Sequence, residues 1–213
     1  MYRRDNLIKK PFIYSYSNLA FFLIVINFVV FFMTAITPGL MVRLAMNPTI
    51  VLNANAYWQF VTYMFTHGSF SHIFFNMLGI FFFGFPLEKR IGSKEFLLFY
   101  FVCGICAGIF SFFFYISTGQ MRVFLVGASG AVYAVLFAYA VFYPNSTIYI
   151  MGLIPIRATW LVILYTGIEI YSQIGRPGSG VAHLTHLAGF AFAYLYIWIR
   201  LGINPADVFF RRR

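Results

Sequence analysis

Six apolar runs divide the chain, at about 18–38, 71–87, 95–117, 124–142, 158–173 and 180–201, each of a length suited to a helix crossing a bilayer. Polar residues gather in short connections, except in the stretch from Gly39 to Phe70. That stretch holds Tyr57, Trp58, Phe60, Tyr63 and Phe65, an aromatic content that predicts a segment lying in the headgroup region rather than in water. Pro144, Asn145 and Pro155 break the helical pattern between Tyr143 and Arg157. There is no internal repeat. The predicted fold is an all-α membrane protein, a bundle of six transmembrane helices with an interfacial loop between the first and second spans. Residues 1–17 precede the bundle, 18–201 form it, and 202–213 follow as a basic tail.

Composition agrees with this pattern. With 62% hydrophobic and 9% charged residues, the chain has too little polar surface to be a water-soluble globule. The formal charge of +10 does not point to nucleic acid, because the basic residues are spread over loops and ends instead of forming one stripe with aromatics. They carry a topology signal. With both ends cytoplasmic, 12 of the 15 Lys and Arg fall on the cytoplasmic side, leaving only Arg43, Arg122 and Arg176 outside. The first run follows Arg3, Arg4, Lys9 and Lys10, but it is too long for a signal-peptide core and has no small-residue cleavage site, so it is read as an uncleaved span. Cys103 and Cys106 lie inside the third run and read as small apolar packing rather than a redox or zinc pair.

Candidate chemistry comes from depth. In that orientation the second, fourth and sixth spans all start from the outer side. Ser129 is about five residues into the fourth and His186 about six into the sixth, so at 1.5 Å per residue both sit roughly 8 to 9 Å down. His72 and Asn76, at i and i+4 in the second span, share one face at a similar level. Polar groups inside hydrocarbon are costly and mark function. A serine hydroxyl needs a base, and neutral imidazole titrates near working pH, which pairs Ser129 with a histidine. His183 and His186 are both possible bases, at i and i+3 on roughly one face. The backbone N–H of Ser129, the His72 ring and the Asn76 amide are candidates for stabilising an oxyanion. Among the acids, Asp5, Glu88, Glu95 and Asp207 map to the cytoplasmic side, and Glu169 reaches the site only from the side. The expectation is therefore a Ser-His dyad with the ring oriented by packing, and Tyr133, at i+4 from Ser129, is available to stack beneath it. Gly127, Gly130, Ala131, Ala134, Gly189 and Ala193 are small residues that allow the fourth and sixth spans to approach closely. No metal is expected, because no H-E-x-x-H is present and no acid lies at that depth.

The motifs resemble those of the rhomboid intramembrane proteases of the minimal six-span bacterial type, over about Trp58 to Ala193. Gly127-Ala128-Ser129-Gly130 resembles the nucleophile motif and Tyr133 falls at the stacking tyrosine. His72 and Asn76 match an H-x-x-x-N, Gly84, Glu88 and Gly92 match a G-x-x-x-E-x-x-x-G, and His186-Leu187-Ala188-Gly189 resembles the catalytic-histidine motif. The resemblance implies that Ser129 and His186 are catalytic, that His72, Asn76 and Ser129 line the oxyanion hole, and that Gly127, Gly130, Gly189 and Tyr133 support them. It also implies that no cofactor is needed. The one departure is Trp58-Gln59, where the family often has Trp-Arg, so a loop-bracing bond or lipid contact is expected to be lost. The expected activity is hydrolysis of peptide bonds in or beside transmembrane helices of other membrane proteins, near the outer leaflet of a bacterial inner membrane. The rival reading is a catalytically silent relative that binds or escorts transmembrane helices; such proteins typically lack the serine or the histidine.

Overall fold

The computed structural model describes residues 11–150, 152–175 and 183–210. Arg3, Arg4, Lys9, Lys10, Arg176, Arg211 to Arg213 and the expected start of the sixth run at 180 lie outside the described residues. The first helix is α1 (Leu19–Ile36), followed by three short helices, α2 (Leu40–Leu44), α3 (Pro48–Ala54) and α4 (Gln59–Thr62), in the segment expected at the interface. Next come α5 (Phe70–Gly79) and α6 (Phe85–Ile91), joined through a π-helical turn at Ile80–Gly84, then α7 (Ser93–Ser117) and α8 (Ser129–Phe142). A hairpin of β1 (Thr147–Ile150) and β2 (Ile154–Arg157) leads to α9 (Ala158–Gly175), α10 (His183–Arg200) and α11 (Pro205–Phe210).

Among the described residues, three helical stretches are long and apolar enough to cross a membrane: Leu19–Ile36, Phe70–Ile91 and Ser93–Ser117. The remaining three differ for physical reasons. At 14 residues α8 is about 21 Å long, short of a hydrocarbon core of about 30 Å. In α9 and α10 the apolar character is diluted by Glu169 and by His183, Thr185 and His186. Burial sorts the helices into centre and edge. Ten of the 14 residues of α8 are buried, against three of 18 in α1. A helix apolar on every side belongs in the middle of a bundle, and α8 is held there by α7, α10 and α9.

Several boundaries differ from the apolar pattern. The second run continues to Ile91 because the π turn, in which the Phe85 N–H bonds to Ile80 O, absorbs the disruption expected from Pro86. The fourth helix starts at Ser129 and not near 124. Residues 123–127 are instead extended and paired with the segment between α1 and α5: Met46 and Leu125 exchange backbone hydrogen bonds of 3.0 and 2.8 Å, and the Gly127 N–H donates to Tyr63 O at 2.9 Å. The connection after α8 contains the short hairpin, with Ile148 opposite Ile156. The expected tail is in part a helix, and Phe209 of α11 stacks on Phe137 of α8 at 5.4 Å.

The segment between α1 and α5 is more anchored than its aromatic content predicts. Tyr57 and Trp58 are exposed, but Tyr63 and Met64 turn inward onto α7, where the Tyr63 hydroxyl donates to Gly104 O at 2.6 Å. Gln59, expected to leave the loop less braced, is fully buried and supplies the brace itself. Its Oε1 accepts from the Asn47 N–H at 3.0 Å, and its Nε2 donates to Val42 O and Arg43 O at 3.3 and 3.2 Å. Replacing this amide by an isosteric hydrocarbon takes the partner from the Asn47 N–H and from Val42 O, while Arg43 O keeps the Trp58 indole N–H at 3.0 Å. Gln59→Leu should therefore lower unfolding free energy by about 1–3 kcal/mol, read from the denaturation midpoint in detergent. A midpoint equal to that of the unaltered protein would remove Gln59 from this role.

Candidate active site

The segment leading into α8 fixes the first candidate group. Gly127 has φ +110°, a conformation that strains any residue with a Cβ, and a Cβ there would lie 2.6 Å from the His72 ring. The chain therefore passes directly over His72 before turning into the helix. The Ala128 N–H points to His67 Nε2 at 3.4 Å, and the His67 ring stands edge-on to His72 at 5.0 Å. Burial, with His72 beside it, pushes His67 down to about 3, so the ring stays neutral and able to accept. His67 thus holds the backbone next to Ser129.

Ser129 is the first residue of α8, rather than lying a turn inside it. Its N–H belongs to the first turn, whose amides have no carbonyl partner within the helix and sit at the positive end of the helix dipole. Across the interface, His186 lies in the first turn of the described part of α10. The two helices meet at glycine: a Cβ on Gly189 would be 2.1 Å from Gly130 O, and one on Gly130 would be 3.2 Å from both Ala107 and Thr185. Only backbone against backbone permits this spacing. It brings His186 Nε2 to 2.8 Å from Ser129 Oγ, within hydrogen-bonding distance. Tyr133 lies parallel to the His186 ring, with centroids 4.2 Å apart and planes at 12°.

On the far side of His186 stands a group that sequence reasoning excluded. Glu169 Oε1 is 2.9 Å from His186 Nδ1 and accepts from the Tyr133 hydroxyl at 2.5 Å, while Oε2 is 2.5 Å from His183 Nδ1. The expectation that packing alone orients the ring is corrected by this contact. Glu169 does come from the side, on α9, and that side faces Nδ1. His183, weighed as an alternative base, pairs with the carboxylate, and it is His186 that faces Ser129.

His72 and Asn76 occupy the opposite wall. The Asn76 side chain donates to the His72 carbonyl of its own helix at 2.9 Å, and its Nδ2 would be 3.8 Å from a Cβ on Gly127. Both residues thus border the backbone that leads to Ser129. Among the described residues, one set of side chains has metal-ligand geometry: Glu169, His183 and His186, with one ligand atom each within 4.8 Å of one another. It includes an acid, Glu169, at a level where none was expected. Cys103 and Cys106 are free thiols within α7, and Cys103 is fully buried.

Taken together, the groups can do acyl chemistry. A hydroxyl sits against an imidazole, the imidazole against a carboxylate, helix N-terminal amides belong to the same turn as the hydroxyl, and a second imidazole and an amide border Gly127, two residues before it. Comparison with known proteins agrees with this reading. The Rhomboid domain profile matches residues 54–203. The RHOMBOID-like protein 12, mitochondrial, of Arabidopsis thaliana is 31% identical over 157 residues, covering 66% of this chain and 45% of that protein. The Rhomboid protease GlpG of Enterobacter sp. (strain 638) is 31% identical over 143 residues, 64% of this chain and 48% of the relative. Its namesake in Salmonella paratyphi A is 29% identical over 144 residues, with 65% and 48% covered. The chain spans less than half the length of these curated relatives.

The glycine contact makes a test. In Gly189→Ala the methyl group meets backbone that cannot rotate away, so α8 and α10 must separate. A displacement near 1 Å at the reacting atoms costs on the order of 100-fold, so labelling of Ser129 by a fluorophosphonate should slow by about that factor. Labelling at the unaltered rate would show that the close approach is not what sets the Ser129 to His186 distance.

Proposed function

Because the chain belongs to the rhomboid family, we propose that it is an intramembrane serine endopeptidase that cuts peptide bonds in or beside transmembrane helices of other membrane proteins, near the outer leaflet. The observation that carries the reading is the 2.8 Å separation of Ser129 Oγ and His186 Nε2. In the mechanism, Ser129 Oγ attacks the carbonyl carbon while its proton passes to His186 Nε2. The carbonyl pair moves onto oxygen, where the Ser129 N–H, His72 and Asn76 donate to it. Collapse of this intermediate expels the amine, which takes the proton from Nε2. Water then repeats the sequence on the acyl-serine, its proton going to His186 and its oxygen to the carbonyl carbon, and the serine is released.

The same reading assigns six spans to the bundle, with both termini on the cytoplasmic side of a bacterial inner membrane. The distribution of lysine and arginine supports that orientation. A short α8 supports a buried site: a helix about 21 Å long that starts at Ser129 can begin below the outer surface, with residues 123–128 descending to it. Hydrolysis needs water at that level, and the polar walls formed by His72, Asn76 and His186 suit a small wet cavity. A substrate helix has its carbonyls hydrogen-bonded, so it must unwind before Ser129 can reach one. Small or helix-weakening residues near the outer surface should therefore be favoured. Side-on admission past α5 or α9 fits the few buried residues of α9, which are Ala158, Leu161, Val162 and Glu169.

Two experiments test this assignment. With purified protein in detergent and a single-span test substrate, the unaltered chain should cut, while Ser129→Ala and His186→Ala should not, although all three insert equally. Cleavage by purified Ser129→Ala would remove it as nucleophile, and a silent unaltered chain that also fails to react with a fluorophosphonate would favour a non-cutting helix binder. In the second, His72→Ala and Asn76→Ala should each lower turnover by about 10- to 1000-fold, by analogy with lost oxyanion donors elsewhere, which cost about 100- to 1000-fold. Unchanged turnover in both would exclude them from that role.

A further inference from the structure

The geometry points to Glu169 as a positioning residue for His186, the third member of a Ser-His-Glu relay in a chain whose motifs predict a dyad. The inference rests on the reading of Ser129 and His186 as nucleophile and base.

Glu169 is 4% exposed and 12 residues into α9, a helix with otherwise apolar surroundings. A carboxylate so deep is costly unless its lone pairs are filled. Here they are: Oε1 faces His186 Nδ1 at 2.9 Å and the Tyr133 hydroxyl at 2.5 Å, and Oε2 faces His183 Nδ1 at 2.5 Å. An ionised carboxylate only accepts, so all three partners must donate. That requirement selects the tautomer of His186. With the proton on Nδ1, the lone pair of Nε2 is directed at Ser129 Oγ, which is the form that can take the serine proton. In the opposite tautomer Nε2 carries hydrogen and cannot act as the base.

Each neighbour removes one freedom. Tyr133 stacks on the His186 ring and donates to the same Oε1, so it fixes the plane of the imidazole and the position of the oxygen together. His183, one turn before His186, holds Oε2 and so sets the rotation of the carboxylate. When Ser129 Oγ bonds to the carbonyl carbon, its proton moves to Nε2 and the ring becomes a cation. Glu169 stabilises that cation without taking a proton, since Nδ1 keeps its hydrogen throughout, and the proton on Nε2 leaves with the amine as the C–N bond breaks.

The test uses the full chain in detergent with the single-span substrate, comparing Glu169→Gln and Glu169→Asp, with thermal unfolding followed in parallel. Gln keeps the shape, but its amide places a donor among donors. It should lower kcat by about 10,000-fold, the size of the loss when the triad acid is removed from other serine proteases, with KM within about twofold. Asp keeps the charge and should recover at least about tenfold of that loss. In protein labelled with 15N-histidine, His186 should show the Nδ1–H tautomer in the unaltered chain and a mixture in Glu169→Gln. Retention of kcat in Glu169→Gln by a chain that otherwise cuts, a loss fully explained by unfolding, or an unchanged tautomer would each overturn the inference. Cleavage abolished by a chelator and restored by zinc would also overturn it, making Glu169, His183 and His186 a metal site. If the unaltered chain never cuts, the protease reading fails instead, and the tautomer measurement still decides whether Glu169 holds the ring.

Discussion

The contact of Gly130 with Gly189 is the constraint on which the rest of the site depends. No side chain intervenes where α8 and α10 cross, since even a methyl group on Gly189 would lie 2.1 Å from Gly130 O. Ser129 immediately precedes one of these glycines, and His186 is one helical turn before the other. The distance between hydroxyl and imidazole is therefore set by backbone, which has fewer ways to relax than side chains do. Lipid gives no hydrophobic drive for helices to associate, so close packing and interhelical hydrogen bonds must hold such a crossing. The second of these is supplied nearby: Ser111 of α7 and Thr185 of α10 share a buried hydrogen bond of 2.6 Å beside Gly130.

Buried carboxylates supply the other cross-links. The chain has five acidic residues, and of the four among the described residues three are buried, each joining separate parts of the structure. Glu88 of α6 accepts from the N–H groups of Leu19 and Ala20 at 2.7 and 2.9 Å and from Ser93 Oγ, filling amides that the first turn of α1 leaves unpaired. Glu95 of α7 accepts from Tyr196 and from Arg200 Nε of α10, both at 2.5 Å, and from the Phe12 N–H at 3.2 Å. Glu169 of α9 ties α8 and α10. In a low-dielectric interior, unpaired charges of this kind would be destabilising. Satisfied as they are, they fix which helix meets which, leaving aliphatic packing to fill the space between.

The helices and the Ser129 to His186 pair were legible because they rest on local signals: apolar run length, glycines beside polar residues, and a matching level in the bundle. What was not legible is rotation about a helix axis. Counting residues gives Glu169 a depth but not a direction, and it was set aside for coming from the side, although that side is the one Nδ1 faces. A signal was present nonetheless, for an ionisable residue inside an apolar helix calls for a partner, and His183 and His186 were the available ones. The start of α8 was hidden for another reason. Val123, Phe124, Leu125 and Val126 extend the apolar run without a break, and only Gly127 hints that the chain there is extended. The hairpin was too short for its alternation to stand out, with Pro144 just before it and Pro155 within β2 itself.

The position of Glu169 has a mechanical consequence. It is the one buried residue in the second half of α9, whose other buried residues, Ala158, Leu161 and Val162, cluster near the opposite end. A helix packed at one end and tied at the other mainly through a carboxylate has that carboxylate as its principal anchor there. Ile170, Tyr171 and Ile174 are exposed on the same half, so the turns around Glu169 gain little from apolar contact with the bundle. An outward motion of this half of α9 would therefore strain the bonds to Tyr133, His183 and His186 before it disturbed any large packed surface. Any route that admits a substrate from this side must either preserve the Glu169 to His186 contact or restore it before the serine proton moves, because the same carboxylate both secures the helix and selects the tautomer of the base.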